Sequence, residues 1–320
     1  MTCPTTATIR LMNEPVYHIP ALLPQAIQAL DIHPGGVYVD ATFGGGGHSR
    51  AILEALGDTG RLLGFDRDID AFANCPDDSR FTFVHSDFRY LSNFLRYYGI
   101  DKADGILADL GVSFHHFDAS ERGFSFRSDA PLDMRMNRKG EKSAADVING
   151  YSKEELERLL KTFTDLKRPG AMAAVILKAR SLSPILTTGQ LTEAVKGTLN
   201  PRAEKKELAQ VFQAIRIEVN GEMQALESLL KQSLLTLRPG GRLAVITYHS
   251  IEDRMVKNFM RSGNVEGKIE QDIYGNIRTP WRLITRNPIV PDEAEIAANP
   301  RSRSAKLRVA ELAANDGVKG

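Results

Sequence analysis

Cysteine, long apolar runs and an excess of either charge are all scarce in this sequence. Its two cysteines, Cys3 and Cys75, lie far apart among 320 residues and predict neither a disulfide framework nor a zinc site. That usage is typical of a reducing cytoplasm, where we expect the protein to be. Residues 1–15 lack the apolar centre of a signal peptide, and no apolar run is long enough to span a membrane.

The overall charge is nearly balanced, because 41 lysines and arginines face 40 acidic residues, which gives a formal net charge of +1. Such a chain is not drawn to nucleic acid by its overall charge, so any such binding would depend on local basic surfaces. The length and the 42% of hydrophobic residues are those of an ordinary globular protein with one large domain or two.

Strand and helix patterns alternate along the first 111 residues and return after residue 222. The segments that predict strands are Val37–Ala41, Arg61–Asp66, Phe81–His85, Ala103–Gly111 and Arg242–Tyr248. This alternation predicts an α/β fold with a doubly wound, mostly parallel sheet that has helices on both faces. Arg238–Gly241 predicts a tight turn before the fifth strand, and Ala305–Leu312 predicts a final edge strand.

Residues 118–221 interrupt that alternation with successive helical patterns. Apolar residues recur there at the spacing of one helix face, as at Leu156, Leu159 and Phe163. We therefore predict three segments. Residues 1–117 and 222–320 form the two parts of the α/β domain, the second with a basic C-terminal segment. Residues 118–221 form an all-helical insertion that recognises the substrate.

A run of four glycines, Gly44–Gly47, lies between the first predicted strand and a helix that begins near Ser49. Such a loop lets backbone turn sharply and lie close to a nucleotide-like ligand at the helix N-terminus. Asp66 ends the next strand, where a carboxylate can accept the ribose hydroxyls of an adenosine-containing ligand. The alternatives are a tight turn without a ligand and, for Asp66, a helix cap, a role for which Asp68 competes.

The glycine loop differs from the dinucleotide-binding fingerprint, because Ser49 stands where the third glycine would be. Asp40 stands four residues before the Gly-x-Gly pattern that begins at Gly44 and ends at Gly46, and this arrangement resembles instead the first motif of doubly wound adenosylmethionine-dependent methyltransferases. Methyl transfer requires in-line alignment and a polarised nucleophile. Asp109, at the end of the fourth strand, could accept a hydrogen bond from an exocyclic amine and offset the charge that forms there. A buried acid that only orders its loop is the alternative.

Histidines are the remaining candidates for chemistry. His249 follows the fifth strand, where it could position a substrate or take up a proton, and the alternative is a histidine bonded to backbone. His115 and His116 have no third ligand at a suitable spacing, so we predict no metal site.

Nine blocks of the sequence resemble the bacterial small-subunit (16S) ribosomal RNA cytosine-N4 methyltransferase family. They are His18–Leu23, Asp40–Ser49, Phe65–Asp68, Asp109–Ser113, Glu121–Phe126, Pro131–Met136, Phe212–Asn220, His249–Arg254 and Asn299–Arg308. The resemblance runs from about residue 16 to residue 312. It implies a class I methyltransferase-like fold and an enzyme that methylates N4 of one cytidine in the decoding region of small-subunit rRNA. The implied cofactor is S-adenosyl-L-methionine.

The resemblance also implies which residues form the site. The implied cofactor-binding residues are Gly46, Gly47, His48, Ser49, Asp66, Phe88 and Asp109, with a further contact near His116, and the glycine loop adds Gly44. From their positions at strand ends, the expected catalytic residues are Asp109, Ser113 and His249. Two stretches depart from the family pattern. Phe114–His116 replaces a Ser-Pro-Gln-like stretch, and Ala203–Glu207 replaces a basic stretch that precedes Phe212.

A cytosine in structured RNA reaches a strand-end pocket only when it is unstacked and swung out. Aromatic and arginine side chains hold such RNA, and the candidates are Arg278, Trp281, Arg282, Arg286, Arg301, Arg303, Lys306 and Arg308. We expect the substrate to be small-subunit rRNA within an assembled or nearly assembled subunit, with a homodimer as one option for the enzyme. Two other functions suit the fold: a non-enzymatic ribosome-assembly or RNA-binding factor, and an NAD-dependent oxidoreductase.

Overall fold

One seven-stranded sheet runs through the protein in this computed structural model, which describes residues 20–111, 120–137, 140, 142–275 and 277–314. Its strands are β1 (Val37–Asp40), β2 (Arg61–Asp66), β3 (Phe81–His85), β4 (Ala103–Asp109), β5 (Leu237–Thr247), β6 (Trp281–Leu283) and β7 (Lys306–Leu312). They lie in the order β3-β2-β1-β4-β5-β7-β6. The first five strands pair in parallel, which confirms the predicted α/β fold with a mostly parallel sheet.

The strand order reverses at β1, which pairs with β2 on one side and with β4 on the other. In open parallel sheets a crevice opens at such a reversal, beyond the carboxyl ends of the strands, and ligands bind there. The last residues of β1, β2 and β4 are Asp40, Asp66 and Asp109. The topology therefore brings three acids to one edge of the sheet.

Two expectations for the far side of the sheet are wrong. The segment predicted as a final edge strand is β7, and it pairs antiparallel with β5 on one side and with β6 on the other. The edge is β6, which is only three residues long and therefore carries no periodic pattern. Arg238–Gly241 does not precede the fifth strand but lies within β5, where the register against β4 shifts between Ala103 and Gly105.

Helices cover both faces of the sheet and also form a separate group. In chain order they are α1 (Leu23–Leu30), α2 (Gly47–Ala55), α3 (Leu91–Tyr97), α4 (Ala144–Gly150), α5 (Lys153–Phe163), α6 (Pro169–Leu182), α7 (Thr188–Lys196), α8 (Glu204–Asn220), α9 (Glu222–Thr236), α10 (Ser250–Ser262) and α11 (Glu293–Ala298). Adjacent residues of β1, Tyr38 and Val39, belong to two different buried clusters, because successive strand side chains point to opposite faces. Helices α1 and α2 pack in the Tyr38 cluster, and α3, α9 and α10 pack in the Val39 cluster.

A third buried cluster joins the apolar faces of α4 to α8 with Phe124, Leu132 and Met134. Ser143, Ser152 and Thr187 begin α4, α5 and α7, and each side chain accepts a hydrogen bond in a reciprocal capping box. This helical content agrees with an inserted helical region, whose bounds at residues 118 and 221 stay a prediction. None of the helices in the described ranges is long and apolar enough to cross a membrane.

Buried polar contacts join the helical region to the sheet at a junction formed by Asp68, Arg122, Met136 and Asn220. Arg122 Nη1 lies 2.6 Å from Asp68 Oδ2, just beyond the end of β2, and Nη2 donates to the Met136 carbonyl at 2.8 Å. Asn220 Oδ1 accepts from the Met136 N–H at 2.8 Å. The ion pair is almost fully buried, with 6% and 8% of the two side chains exposed.

Candidate active site

A cleft of about 1100 Å³ opens beyond the ends of β1, β2 and β4. One wall, here called the strand wall, is drawn from residues 41–48, 65–74, 86–88 and 109–111. The facing helical wall is drawn from residues 124–128, Met136 and residues 209–226 of α8 and α9. Tyr248, His249 and Glu252, at the end of β5 and the start of α10, also line the cleft. A space of this size accommodates a cofactor together with part of a second molecule.

Within the strand wall, the glycine loop is held by a hydrogen bond to the end of β2 and by close packing. Gly44 N donates to Asp66 Oδ2 at 2.9 Å, which ties the loop after β1 to the end of β2. A side chain at Gly46 would meet the Phe43 ring at 3.0 Å, and one at Gly47 would lie 2.2 Å from Pro20. Packing therefore favours glycine at Gly47, and at Gly46 the positive φ of 75° favours glycine as well. The cleft surface itself is formed by Gly44, Gly45, Gly47 and His48, with Gly46 and Ser49 behind it.

Asp40 anchors the start of α2 from below the loop. Its Oδ2 accepts from the Ser49 hydroxyl at 2.7 Å and its Oδ1 accepts from the Thr42 N–H at 3.1 Å. Only 1% of Asp40 is exposed, and this burial raises its pKa to about 6. Asp40 thus fixes the geometry of the loop and does not face the cleft, which agrees with its position four residues before the first glycine.

Asp66 lies in the strand wall and its carboxylate is positioned by backbone. Its Oδ1 accepts from the Asp68 N–H at 2.8 Å, in addition to the Gly44 contact of Oδ2. Each carboxylate oxygen can accept more than one hydrogen bond, so these two backbone contacts are compatible with the predicted binding of ribose hydroxyls. The cap of the 3₁₀ turn Ile69–Asn74 is supplied by Asp68, whose side chain accepts from the Asp70 N–H. Asp68 therefore supplies the helix cap that was the alternative role for Asp66.

Aromatic and acidic side chains give the strand wall the character of an adenosyl site. The buried Phe88 lines the cleft after β3, and the Arg67 guanidinium lies 5.8 Å from its ring centre. The lining near the glycine loop includes the acids Asp66, Asp68, Asp70, Asp87 and Asp109. Asp68 is paired with Arg122, and Asp87 is paired with Arg67 and Arg89. Asp66 and Asp109, at the ends of two strands, are therefore the carboxylates that favour a cationic ligand over the pyrophosphate of a dinucleotide. The residues therefore fit S-adenosylmethionine, which carries a positive sulfonium.

Asp109 ends β4 and faces the cleft as part of the strand wall. Tyr248 donates its hydroxyl to Asp109 Oδ1 at 2.8 Å, and Asp109 N donates to Thr42 Oγ1 at 2.6 Å. The Asp109 side chain keeps 21% of its surface exposed, so a ligand can reach it. Burial nevertheless raises the pKa of Asp109 to about 7. Sequence reasoning did not single out Tyr248, whose only signal is its place beside His249 at the end of β5.

His48 and His249 differ in what they do. His48 Nδ1 lies 3.8 Å from Asp109 Oδ2, but burial lowers the pKa of His48 to about 4, so the imidazole is neutral at pH 7 and this contact is not an ion pair. His249 is the N-cap of α10, because its Nδ1 accepts from the Glu252 N–H at 3.4 Å. The histidine therefore has a backbone contact as well as a place in the cleft, and its role toward a substrate stays a prediction.

Glu222, His249 and Glu252 place ligand atoms within 4.8 Å of one another, a spacing that could hold a metal ion. Arg216 occupies the same corner, with Nε 2.8 Å from Glu222 Oε1 and Nη2 2.9 Å from Oε2. A guanidinium that engages both oxygens of Glu222 supplies the positive charge a metal would bring. The group is better described as a salt-bridge cluster.

The remaining predicted residues fall in several places. Ser113 and His116, with the Phe114–His116 departure, lie outside the described residues. Of the RNA candidates, Arg301 lines the cleft, and Arg278, Arg286 and Arg303 are exposed. The prediction that Trp281 contacts RNA is wrong, because this side chain is only 4% exposed and its ring centre lies 5.8 Å from that of Phe259.

Three further RNA candidates pair with acidic side chains of this same chain. Arg308 lies 2.6 Å from Asp253 Oδ1, and Lys306 lies 3.6 Å from Asp253 Oδ2. Arg282 Nε donates to Glu311 Oε1 at 3.1 Å. Arg308 is also 8% exposed, so this arginine stabilises the fold and is poorly placed to contact RNA.

Comparison with known proteins gives close relatives along almost the whole chain. Residues 15–313 match the MraW methylase family. The chain is 58% identical over 299 residues to the ribosomal RNA small subunit methyltransferase H of Bacteroides thetaiotaomicron, covering 93% of this chain and 98% of that protein. It is 52% identical over 295 residues to the protein of the same name from Flavobacterium johnsoniae, covering 92% and 97%.

Solved structures give more distant likenesses. An rRNA methylase from Streptococcus thermophilus has a TM-score of 0.39 and 11% identity, and the match covers 91% of this chain and 94% of that one. TrmN from Thermus thermophilus has a TM-score of 0.41 and 13% identity, with 91% and 48% covered.

Proposed function

The chain belongs to the MraW methylase family, and on that premise we propose that it is an S-adenosylmethionine-dependent methyltransferase acting on small-subunit rRNA. The acceptor is N4 of a cytidine in the decoding region. The observation that carries this proposal is the placement of Asp109, a reachable carboxylate one strand away from the glycine loop after β1 and two strands away from Asp66. Neither a non-enzymatic RNA-binding factor nor an NAD-dependent oxidoreductase accounts for both the family and this carboxylate.

The strand wall would hold the cofactor through Asp66, Phe88 and the glycine loop. When bound, S-adenosylmethionine supplies a methyl group activated by a positively charged sulfur. The protein's own task is then to place a nucleophile in line with that group and to keep water out. The acids around the loop favour the cation, and Asp66 Oδ1 and Oδ2 are already oriented by the N–H groups of Asp68 and Gly44.

Asp109 is the group that acts on the acceptor nitrogen. The lone pair of the cytosine amine is conjugated into the ring, so the amine is a weak nucleophile. An ionised carboxylate that accepts one N4–H pushes electron density toward nitrogen and offsets the charge that develops there. Oδ1 is fixed by the Tyr248 hydroxyl, which leaves Oδ2 as the atom that accepts the N4–H.

The helical wall would receive the RNA. Because a base must leave its stack to reach the end of β4, the wall needs surfaces on which a base can lie. Phe126 lines the cleft there and is partly exposed, and the almost fully buried Phe212 supports it edge to face with ring centres 5.5 Å apart. Aromatic surfaces of this kind stack on unpaired bases.

The proposal is tested by incubating the protein with labelled S-adenosylmethionine and small ribosomal subunits that lack the modification. Label should enter a single cytidine of the decoding region, and nuclease digestion should release it as N4-methylcytidine. Label on another base, or binding of the subunits without transfer, would overturn it.

We also propose that the substrate is the assembled or nearly assembled subunit and that the enzyme acts in the cytoplasm. The near-neutral net charge supports this, because a protein without a large positive field needs a shaped surface to find one RNA site. Transfer rates should be at least tenfold higher with subunits than with the same rRNA stripped of protein. A homodimer stays a prediction, which sedimentation of the free enzyme would test.

A further inference from the structure

Four charged or ionisable side chains in the cleft have no part in the scheme above. They are Arg216 on α8, Glu222 at the start of α9, and His249 and Glu252 at the start of α10. They are largely enclosed, with 12%, 9%, 11% and 2% of their side chains exposed in that order. The cluster lies where the helical wall meets the end of β5.

Contacts run from this cluster to Asp109. His249 Nε2 lies 2.9 Å from Glu252 Oε1, and Glu252 Oε2 accepts from the Tyr248 N–H at 3.1 Å. Tyr248 in turn donates its hydroxyl to Asp109. Burial alone would raise the pKa of Glu252, but His249 and Arg216 outweigh it and hold that pKa below its ordinary value. The cluster and Asp109 therefore belong to one connected surface.

Arg216 is the member of this cluster whose guanidinium can donate further hydrogen bonds to a ligand. A guanidinium has five N–H donors, and the bidentate pair with Glu222 uses those on Nε and Nη2. Within the described part of the chain, Nη1 makes no hydrogen bond. In many proteins the desolvation free energy of a buried ion pair exceeds the Coulomb energy that the pair gains. An ion pair that lines a ligand cleft is therefore better explained by a role in binding than by stability. Glu222 fixes the plane of the guanidinium and leaves one edge for a ligand.

The edge of a cytosine has the pattern that such a surface complements. Its Watson–Crick side presents the N4 amine as a donor and N3 and O2 as acceptors. A base taken out of the stack is read through this edge. Asp109 engages the amine, so the two acceptors beside it need donors. Uracil would present an N3–H, which a guanidinium cannot accept.

We propose that Arg216, held in orientation by Glu222, donates from Nη1 to N3 of the target cytosine, where uracil would present an N–H, and thereby selects this base. This inference rests on the proposed function and deepens it. Arg216 would touch the substrate, whereas Glu222 is a positioning residue. Arg216 would thereby have a substrate role in the Phe212–Asn220 block, of which Phe212, Gln213 and Arg216 line the cleft.

The test uses subunits reconstituted with rRNA that carries a cytidine analogue at the target position. 3-Deazacytidine replaces the N3 acceptor by C–H, and 2-thiocytidine replaces O2 by a weaker acceptor. For the wild-type enzyme we expect 3-deazacytidine to lower the single-turnover transfer rate about 10- to 100-fold, as for loss of a hydrogen bond to a charged group, and 2-thiocytidine to have a smaller effect. In Arg216→Met/Glu222→Gln, which removes both charges together, 3-deazacytidine should lower the rate less than about threefold.

Two further variants keep the test decisive. Arg308→Met/Asp253→Asn removes another buried ion pair, outside the cleft, and should keep the full analogue penalty. Arg216→Lys serves if the double variant does not fold, because an ammonium lacks the fork needed to engage Glu222 and a base together, and its penalty should also fall. An equal penalty in wild type and both Arg216 variants, or no penalty in wild type, would overturn the inference. Failure of wild type to methylate unmodified cytidine would instead overturn the proposed function.

Discussion

The two walls of the cleft are built in different ways. In the strand wall, side chains are placed by strand ends and by local hydrogen bonds, such as those from Gly44 N to Asp66 and from the Ser49 hydroxyl to Asp40, which link residues 22 and 9 positions apart. The helical wall is attached to the sheet by polar contacts between residues distant in sequence. Arg122 and Asp68 are 54 positions apart, and Arg67 Nη1 donates to the Asn220 carbonyl across 153 positions.

This difference separates chemistry from recognition. The sheet gives the strand wall its geometry regardless of what faces it, so the cofactor site should tolerate disturbance of the helical wall. The helical wall depends on a few buried polar groups, and removing one of them strongly destabilises the protein. A change at the junction should therefore impair RNA use and stability while the cofactor site survives, and a change at a strand end should have the opposite effect.

The largest effect is expected from Arg122→Met. This change leaves Asp68 buried without its guanidinium, and removing one partner of a buried ion pair costs about 3–5 kcal/mol. We expect that loss in the free energy of unfolding measured in urea. The Michaelis constant for subunits should rise, while calorimetric affinity for S-adenosylmethionine changes little in the folded protein.

Arg122→Met/Asp68→Asn is the matched control, because it removes both charges of the pair and should recover most of the lost stability. A single variant as stable as wild type would show that the junction does not hold the helical wall.

The next effect is expected from Asp109→Asn, which disturbs the strand wall. An amide cannot carry the negative charge that offsets the forming cation, so transfer to RNA should fall about 100- to 1000-fold. Affinity for S-adenosylmethionine should stay within about tenfold of wild type, because Asp66 and the loop are untouched. Asp104→Asn, an acid on the same strand that pairs with Arg238 outside the cleft, provides the control. Full activity of Asp109→Asn in a labelled-methyl assay would remove this residue from the mechanism.

A smaller effect, confined to the cofactor, is expected from Asp66→Ala. Loss of a charged acceptor should weaken S-adenosylmethionine binding by roughly 1.5–3 kcal/mol in titration calorimetry. The Michaelis constant for subunits should be unchanged at saturating cofactor. Asp66→Asn keeps the size and one acceptor oxygen, so it separates the effect of charge from that of shape. Unchanged affinity in the alanine variant would mean that the ribose lies elsewhere.

Sequence reasoning works for the strand wall because each of its features leaves a local trace. Asp66 and Asp109 follow apolar strands directly, and the glycine loop joins a strand to a helix. Once the sheet is parallel, the carboxyl ends of β1, β2 and β4 must meet. The sequence alone therefore predicts which acids share an edge, although the hydrogen bond between Tyr248 and Asp109 needs the register of β4 against β5.

The other regions depend on pairings that leave no local trace. Trp281 has the composition of an RNA contact, yet it packs on Phe259 because a three-residue strand adds to the edge of the sheet there. Arg308 reads as a surface cation, but Asp253 on α10 pairs with it inside the protein. Arg216 and Glu222 belong to two helices with a sharp turn at Gly221 between them. Residue type cannot distinguish a buried pair from a solvated one.

The smallest expected effect is a pH dependence of cofactor affinity that arises from the ionisation of Asp109. Its pKa is raised to about 7, and a carboxyl is ionised only above its pKa. If the sulfonium lies beside Asp109, affinity for S-adenosylmethionine relative to uncharged S-adenosylhomocysteine should therefore rise with pH between about pH 6 and pH 8. A decrease of about one unit in the Asp109 pKa on binding corresponds to about a tenfold rise in this ratio. Calorimetry with both ligands measures it, and Asp109→Asn should remove the pH dependence. A ratio that does not change with pH would place the sulfonium away from Asp109, and the acceptor amine would then have to reach the methyl group from another part of the cleft.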